Sequence, residues 1–256
     1  MQRNILTGAC AALALMTLSG CAPMVKVRDV QADKQAFMSA NFSSDKLDKD
    51  VARTVSAADP GPLGFHKMVL HFNWQVNDDD KNKTVAFEQR VSFRSAGGSL
   101  VQERVDGSRN GVTISESYSL SYRGVLSLMF QTMNLNATVA GLKTELKSLQ
   151  HFDAANRPGS TTPLDYQFEV GISGQLMGFR QGRNTCTVGT DYAAAKINAQ
   201  LAGEAHDLEC TAFNSNGVKI SATRYAYLAN YGVAIVLHTE QATGISDAKV
   251  ASVEIN

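Results

Sequence analysis

From about Leu63 onward, apolar and polar residues alternate with a period of two, the pattern of strands with one dry and one wet face. Met68, Leu70, Phe72, Trp74 and Val76 share one parity against Val69, His71, Asn73 and Gln75. Val85, Phe87, Val91 and Phe93 repeat the pattern against Glu88, Arg90, Ser92 and Arg94. Further on, Val112, Ile114, Tyr118, Leu120 and Tyr122 share a face, with Thr113, Ser115, Ser117, Ser119 and Ser121 opposite. Tyr166, Phe168, Val170 and Ile172 form another set. Turn residues separate these runs: Asp78-Asp79-Asp80, Ala96-Gly97-Gly98 and, most clearly, Ser215-Asn216-Gly217. The C-terminal part continues as Lys219 to Leu228, Val233 to Glu240 and Ala248 to Ile255. Val233 to Leu237 is apolar throughout and reads as a central strand covered on both faces.

One stretch departs from this period. Between Gly124 and Phe152, Leu126, Met129, Phe130 and Met133, and then Leu135, Val139, Leu142, Leu146 and Leu149, fall at helical spacing. Gly141 and the Asn134–Asn136 neighbourhood interrupt it, so helix is only narrowly favoured over strand. The expected fold is mainly β: a curved antiparallel sheet, half-barrel or sandwich, with a few helices. It is similar in outline to periplasmic lipoprotein carriers and their lipid-binding relatives, without a diagnostic motif.

The N-terminus has a different character. Arg3 precedes an almost uncharged run from Ile5 to Leu18, too short to span a bilayer comfortably, and no comparable run follows. It ends in Leu18-Ser19-Gly20-Cys21, which resembles the lipobox of bacterial lipoproteins. Cys10 lacks the apolar residue three places upstream and has too little apolar run ahead of it. The resemblance implies cleavage of a signal peptide over 1–20 and acylation of Cys21, with diacylglycerol and a further acyl group such as palmitate. Each buried CH₂ contributes about 0.8 kcal/mol, so two or three chains anchor stably where one does not. Ala22 follows the cysteine where aspartate would favour inner-membrane retention, which implies an outer-membrane anchor facing the periplasm. Residues 21–62 then read as a flexible tether with a short helix around Asp33 to Ser39, reaching roughly 35 Å as a coil. Residues 63–256 form the β-rich domain.

Charge narrows the partners. The chain has 24 basic and 24 acidic residues; losing the signal removes only Arg3, leaving a net charge near −1. That gives no footprint for nucleic acid. The mature part keeps Cys186 and Cys210, and export to an oxidising compartment makes a disulfide between them the expected state. A loop of about 25 residues closed this way contributes roughly 3.5 kcal/mol in the chain-entropy account.

Catalytic motifs are missing: no GxSxG, HExxH, P-loop or dinucleotide fingerprint, and so no cofactor and no metal is expected. His66 and His71 are five apart, on opposite faces of one strand, and His151, His206 and His238 have no partner at ligand spacing. A histidine and a carboxylate brought within about 3 Å in an open cleft would nonetheless favour an enzyme. Glu116 stands out because it shares parity with Ile114 and Tyr118 on an apolar face, and such a carboxylate needs a partner or a raised pKa. Arg224, between Ala222 and Ala226, is the matching oddity and a candidate partner. Tyr225, Tyr227 and Tyr231 suggest either an aromatic platform or cross-strand packing. Three functions fit: a non-catalytic envelope module that binds protein partners or supports assembly, a carrier with an apolar ligand in its curved sheet, and a hydrolase assembled from distant residues.

Overall fold

The computed structural model describes residues 24–78 and 83–256. It begins with three short helices, α1 (Val27–Ala32), α2 (Lys34–Asn41) and α3 (Lys49–Ala57). Twelve strands follow. The first six are β1 (Lys67–Asp78), β2 (Lys83–Ser95), β3 (Leu100–Arg109), β4 (Val112–Tyr122), β5 (Leu126–Asn134) and β6 (Thr144–Gln150). The rest are β7 (Leu164–Ile172), β8 (Arg180–Ala193), β9 (Glu204–Asn214), β10 (Lys219–Leu228), β11 (Val233–Gln241) and β12 (Gly244–Ile255). Each pairs antiparallel with its chain neighbour, and β1 pairs with β12 from Met68 opposite Ile255 to Asn77 opposite Ile245.

The sheet is therefore a closed barrel, where the sequence suggested a half-barrel or sandwich. Closure requires the first and last strands to run antiparallel in matching register, a long-range relationship that period-two alternation does not encode. The region expected to be helical between Gly124 and Phe152 is also β, forming β5 and β6. Both strands carry bulges. Leu120 faces Met129 while Ser121 faces Ser127, so Leu128 is an extra residue on β5; Lys147 is the extra residue where Leu146 and Leu149 face Val170 and Phe168. A bulge puts apolar residues three apart on one face and so imitates helical spacing.

Residues opposite each other across a ladder share a face, so the registers define the two walls. One wall carries Met68, Leu70, Phe72 and Trp74 of β1, then Phe87, Val91 and Phe93 of β2, and Val101, Glu103 and Val105 of β3. On the far side it continues through Tyr166 and Phe168 of β7, Asn184 and Cys186 of β8, Leu208 of β9 and Tyr225 of β10. The opposite wall on β1 and β2 carries His71, Asn73, Gln75, Glu88 and Arg90. On β1 and β2 the apolar wall is the lumen and the polar wall faces outward. This is the reverse of a transmembrane barrel, whose outer band is apolar.

Residues 24–62, expected to be a flexible tether, are helical and docked, and belong to the same packed unit as the barrel. The expected helix over Asp33 to Ser39 is α2, and Asp33 caps it by accepting from the Ala36 N–H at 2.9 Å. Helices this short are not stable alone and depend on packing. Val27, Val30, Met38, Phe42, Val51 and Val55 form one buried cluster with Tyr118, Leu120, Tyr122, Leu126 and Met133 of the barrel's outer wall. The barrel also satisfies the helix ends: Gln102 Nε2 donates to the Phe42 carbonyl at 3.0 Å and the Tyr122 hydroxyl to the Ala58 carbonyl at 2.7 Å. The signal segment and Cys21 lie outside the described residues.

Two seams interrupt the ladder. β5 and β6 pair only where Met129 faces Glu145 and Phe130 faces Thr144, and α3 packs along β6 beside this gap. β11 and β12 pair only from His238–Asp247 to Gln241–Gly244. There the β8–β9 loop replaces the missing strand contacts: Asn198 Nδ2 donates to the Val250 carbonyl at 3.3 Å, and Gln200 Oε1 accepts from the Val253 N–H at 3.0 Å. One end is tied by Arg123, a buried guanidinium that donates to Ser99 Oγ, the Tyr227 hydroxyl and the carbonyls of Gly61 and Gly232.

Candidate functional site

The lumen is walled by large apolar side chains, yet it is not filled. Phe87, Val105, Phe168, Val170 and Val236 all face inward and are only partly buried. Two cavities account for this. One, of about 180 Å³, is lined by Phe72, Trp74, Phe93, Glu103, Val105 and Val236, among others. The other, of about 400 Å³, lies beside the β5–β6 seam and is lined by Leu126, Leu146, Phe168, Val170 and Asn184 among others. Volumes of a few hundred Å³ with mostly apolar lining and a few polar groups are typical of small-molecule sites.

Glu103 is the acid of this lumen. It sits between Val101 and Val105 on the inward parity of β3, opposite Phe93 of β2 and Ser119 of β4. Among the described residues its hydrogen-bond partner is Ser119 Oγ, at 3.2 Å. Burial pushes its carboxyl up to about 7, the single Ser119 bond only partly opposing the loss of hydration. Two phenols lie nearby on the facing strands. The Tyr166 hydroxyl accepts from Asn184 Nδ2 at 2.8 Å and is pushed up to about 12 by burial. Tyr225 is raised as well, by burial first and then by the closeness of Tyr166 and Glu103. The two phenols therefore stay neutral across the physiological range, whereas Glu103 titrates within it.

Several buried polar atoms on this wall have no partner: the Trp74 indole Nε1, Ser121 Oγ, Asn184 Oδ1 and His206 Nε2. Unpaired polar atoms in a dry interior each cost about 1–3 kcal/mol. Of these, the Trp74 indole and Asn184 Oδ1 belong to residues that line the two cavities, where a bound molecule can supply the missing bonds.

The sequence-predicted residues are distributed differently. Glu116 is fully buried, on the outer wall of β4 beneath α1 and α2. It accepts from Lys34 Nζ, from Gln31 Nε2 at 2.9 Å and from the Tyr118 hydroxyl at 2.7 Å. Burial pushes its carboxyl up, but these three donors outweigh burial and hold it below the usual range. Its partner is thus Lys34. Arg224 lies on the outer wall of β10, 3.7 Å from Asp207, and is not brought to Glu116. The tyrosines form no exposed platform: Tyr225 and Tyr227 face inward, and the Tyr231 hydroxyl accepts from the Ala202 N–H at 3.0 Å. Cys186 and Cys210 face each other across β8 and β9 and are joined by a disulfide.

The histidines do not converge on one another. His71 faces outward, and His206 lies inward, stacked on Tyr227 at 5.1 Å between ring centres. His238 does meet a carboxylate, Asp247, at 2.7 Å. The two are cross-strand neighbours on the outer wall, and Asp247 is 56% exposed. Among the described residues no hydroxyl or thiol hydrogen-bonds the other His238 nitrogen. No group of three potential metal ligands occurs among the described residues.

Sequence reasoning missed Glu103 and the inward serines. A signal for Glu103 was present, since an acid between two valines at the same parity is the pattern that singled out Glu116. For the serines the parity was legible, but the side of the sheet was not.

No protein-family model matches the chain, and no curated protein does either. Among solved structures, a beta-barrel-like protein of the domain of unknown function DUF1849 from Brucella abortus is 9% identical, with a TM-score of 0.45, over 76% of this chain and 99% of that one. A DUF1329 family protein from Desulfovibrio piger gives 8% identity and a TM-score of 0.39, over 82% and 94% of the two chains. A domain from Vibrio parahaemolyticus, provisionally named as an outer membrane lipoprotein-sorting protein, gives 7% and 0.40 over 84% and 94%. Likeness at this level lends nothing to fold or function, which rest on the chain's own geometry.

Proposed function

We propose that this protein binds an apolar or amphipathic ligand inside its barrel, as a non-catalytic carrier or binding module of the bacterial envelope. The observation that carries the reading is the lumen itself: inward phenylalanines and valines that keep accessible surface around two cavities, with unpaired polar atoms among them. A purely structural barrel gains by closing such voids, because each unfilled volume forfeits packing contacts. A module acting only through its outer surface has no use for them. Native mass spectrometry of protein purified from membranes should show a lipid-sized adduct that is lost on denaturation. Bare protein, together with no change in Trp74 fluorescence on titration with alkyl acids, alcohols and amines, would overturn the reading. Trp74 is the chain's one tryptophan and lines the smaller cavity, so its emission reports on the lumen alone.

The same proposal places the protein on a membrane through acyl chains on Cys21, from the likeness of Leu18-Ser19-Gly20-Cys21 to the lipobox and, for the outer membrane, from Ala22. Cys21→Ser should accumulate as unacylated precursor or leave the membrane fraction. Normal acylated maturation of that variant would remove the anchor from the proposal.

A further inference from the structure

Resting on the reading of the lumen as a ligand site, the arrangement of its polar atoms narrows the ligand's chemistry. Among the described residues no cation pairs with Glu103. The inward positions around it on β1 through β4, Met68 to Trp74, Phe87 to Phe93, Val101 to Val105 and Ser115 to Ser121, include no lysine or arginine. Facing it across the lumen are the phenols of Tyr166 and Tyr225, which do not carry positive charge. Cations at the margins of the lumen are Arg180, opposite Val170 at the exposed end of β8, and Arg123, whose buried guanidinium is already bonded to Ser99, Tyr227 and the carbonyls of Gly61 and Gly232. Elsewhere this fold pairs its fully buried acid, Glu116, with a lysine and two further donors.

The unpaired buried atoms on this wall are mixed in kind. Asn184 Oδ1 can only accept, and Ser121 Oγ and His206 Nε2 can both accept, whereas the Trp74 indole is the sole unpaired group on this wall restricted to donating. In the cavities themselves Asn184 Oδ1 and the second oxygen of Glu103 are free to accept and the Trp74 indole N–H to donate, with no cation among the described residues to answer the carboxylate. An anionic head group would add acceptors and set a second negative charge against Glu103 in a poorly hydrated space. A protonated amine does the opposite: it brings three donors and a compensating charge.

We propose that the lumen takes an amphiphile with an alkyl chain and a hydrogen-bond-donating cationic head, a primary amine, and that Glu103 is its counter-ion. The chain lies against the phenylalanine and valine walls. The smaller cavity, at about 180 Å³, exceeds the ~150 Å³ apolar cavity known to take up benzene, so it holds a head group with its first few carbons. The remaining carbons then need the larger cavity beside the β5–β6 seam.

The test compares three probes of one chain length, dodecylamine, dodecanol and dodecanoate, below their aggregation concentrations and at mildly alkaline pH. Binding is read from Trp74 fluorescence on lipid-free protein. Dodecylamine should bind at least about tenfold more tightly than dodecanoate, with dodecanol between them. Glu103→Gln should abolish that order while leaving dodecanol affinity within about twofold. Equal affinity for acid and amine, or an order retained in Glu103→Gln, would overturn the amine assignment while leaving the lumen a ligand site. No response to any of the three would overturn both readings. The wild-type comparison decides between acid and amine even if the variant fails to fold.

Discussion

The ammonium of Lys34, on α2, meets the carboxylate of Glu116, on the outer wall of β4, where the Glu116 side chain has no exposed surface. This pair joins the N-terminal helices to the barrel. The lysine remains 31% exposed, so its desolvation cost is modest while the acid it serves is fully buried. Lys34→Met should lower stability by about 3 kcal/mol, since it strands a buried charge. The double variant Lys34→Met, Glu116→Leu should recover most of that loss. Chemical denaturation of the four proteins forms a double-mutant cycle, and additive losses would show that the pair is not coupled.

The depressed titration of Glu116 also has a definite sign. A carboxyl held below its ordinary value of 4.5 contributes stability that is present above that value and lost as the pH falls through the lower, folded value. Lys34→Met removes a donor that holds it down. Acid unfolding of that variant should therefore begin at a higher pH than in the wild type.

Glu103 works in the opposite direction. Its carboxyl is raised from 4.5 to about 7 in the folded chain, so the fold binds a proton that the unfolded chain releases between those values. Its contribution is full below pH 4.5 and lost as the pH rises through about 7. In lipid-free protein, the stability gained by Glu103→Gln should grow across that window and level off above it. The change is on the order of 3 kcal/mol, each pKa unit being worth about 1.4 kcal/mol. Denaturant midpoints measured at acid, neutral and alkaline pH check this; a difference that does not vary with pH would mean Glu103 titrates normally.

The disulfide closes a loop between residues 24 apart in sequence on adjacent strands. Cys186→Ser and Cys210→Ser should each cost about 3.5 kcal/mol, the chain-entropy value for such a loop. Equal losses in the two variants are expected, since either one opens the same loop. Thermal denaturation with and without reductant checks it, because the wild type under reductant should fall to the level of the variants.

Much of the strand pattern was legible because alternation is a local property. β1, β2, β4 and β7, and the turn at Asn216-Gly217, lie where period two and turn chemistry placed them. Alternation tells that two faces differ but not which one is concave. On β4 the apolar parity of Tyr118, Leu120 and Tyr122 lies outside the lumen under the helices, and the serine parity faces in. Helix α2 lies where a short helix was expected, but α1 and α3 escaped detection because they are only six and nine residues long and contribute two buried residues each. No periodic stripe accumulates over so short a span. The local pattern around Glu103 was visible, but its place opposite Tyr166 and Tyr225 depends on β7 and β10 facing β3, a relationship more than sixty residues distant in sequence.

Docking of residues 25–27 alters the geometry of any anchor at Cys21. The Val27 N–H donates to the Thr138 carbonyl at 3.1 Å and the Ala140 N–H to the Val25 carbonyl at 2.9 Å, fixing the chain to the β5–β6 connection. Three residues between Cys21 and Val25 span about 14 Å at full extension, far less than a free 40-residue coil. An acylated protein of this form is held with the β5–β6 side close to the lipid surface.

The short ladder at β5–β6 sets an order in which the barrel comes apart. Parting the wall there breaks the pairing of Met129 with Glu145 and Phe130 with Thr144, whereas parting β1 from β2 breaks register from Lys67–Arg94 to Asp78–Lys83. Local opening is governed by how many such bonds and apolar contacts must be lost together. Amide protons around Met129 and Glu145 should therefore exchange with solvent long before those in the middle of β1, giving the cylinder a weak line along its length at this seam.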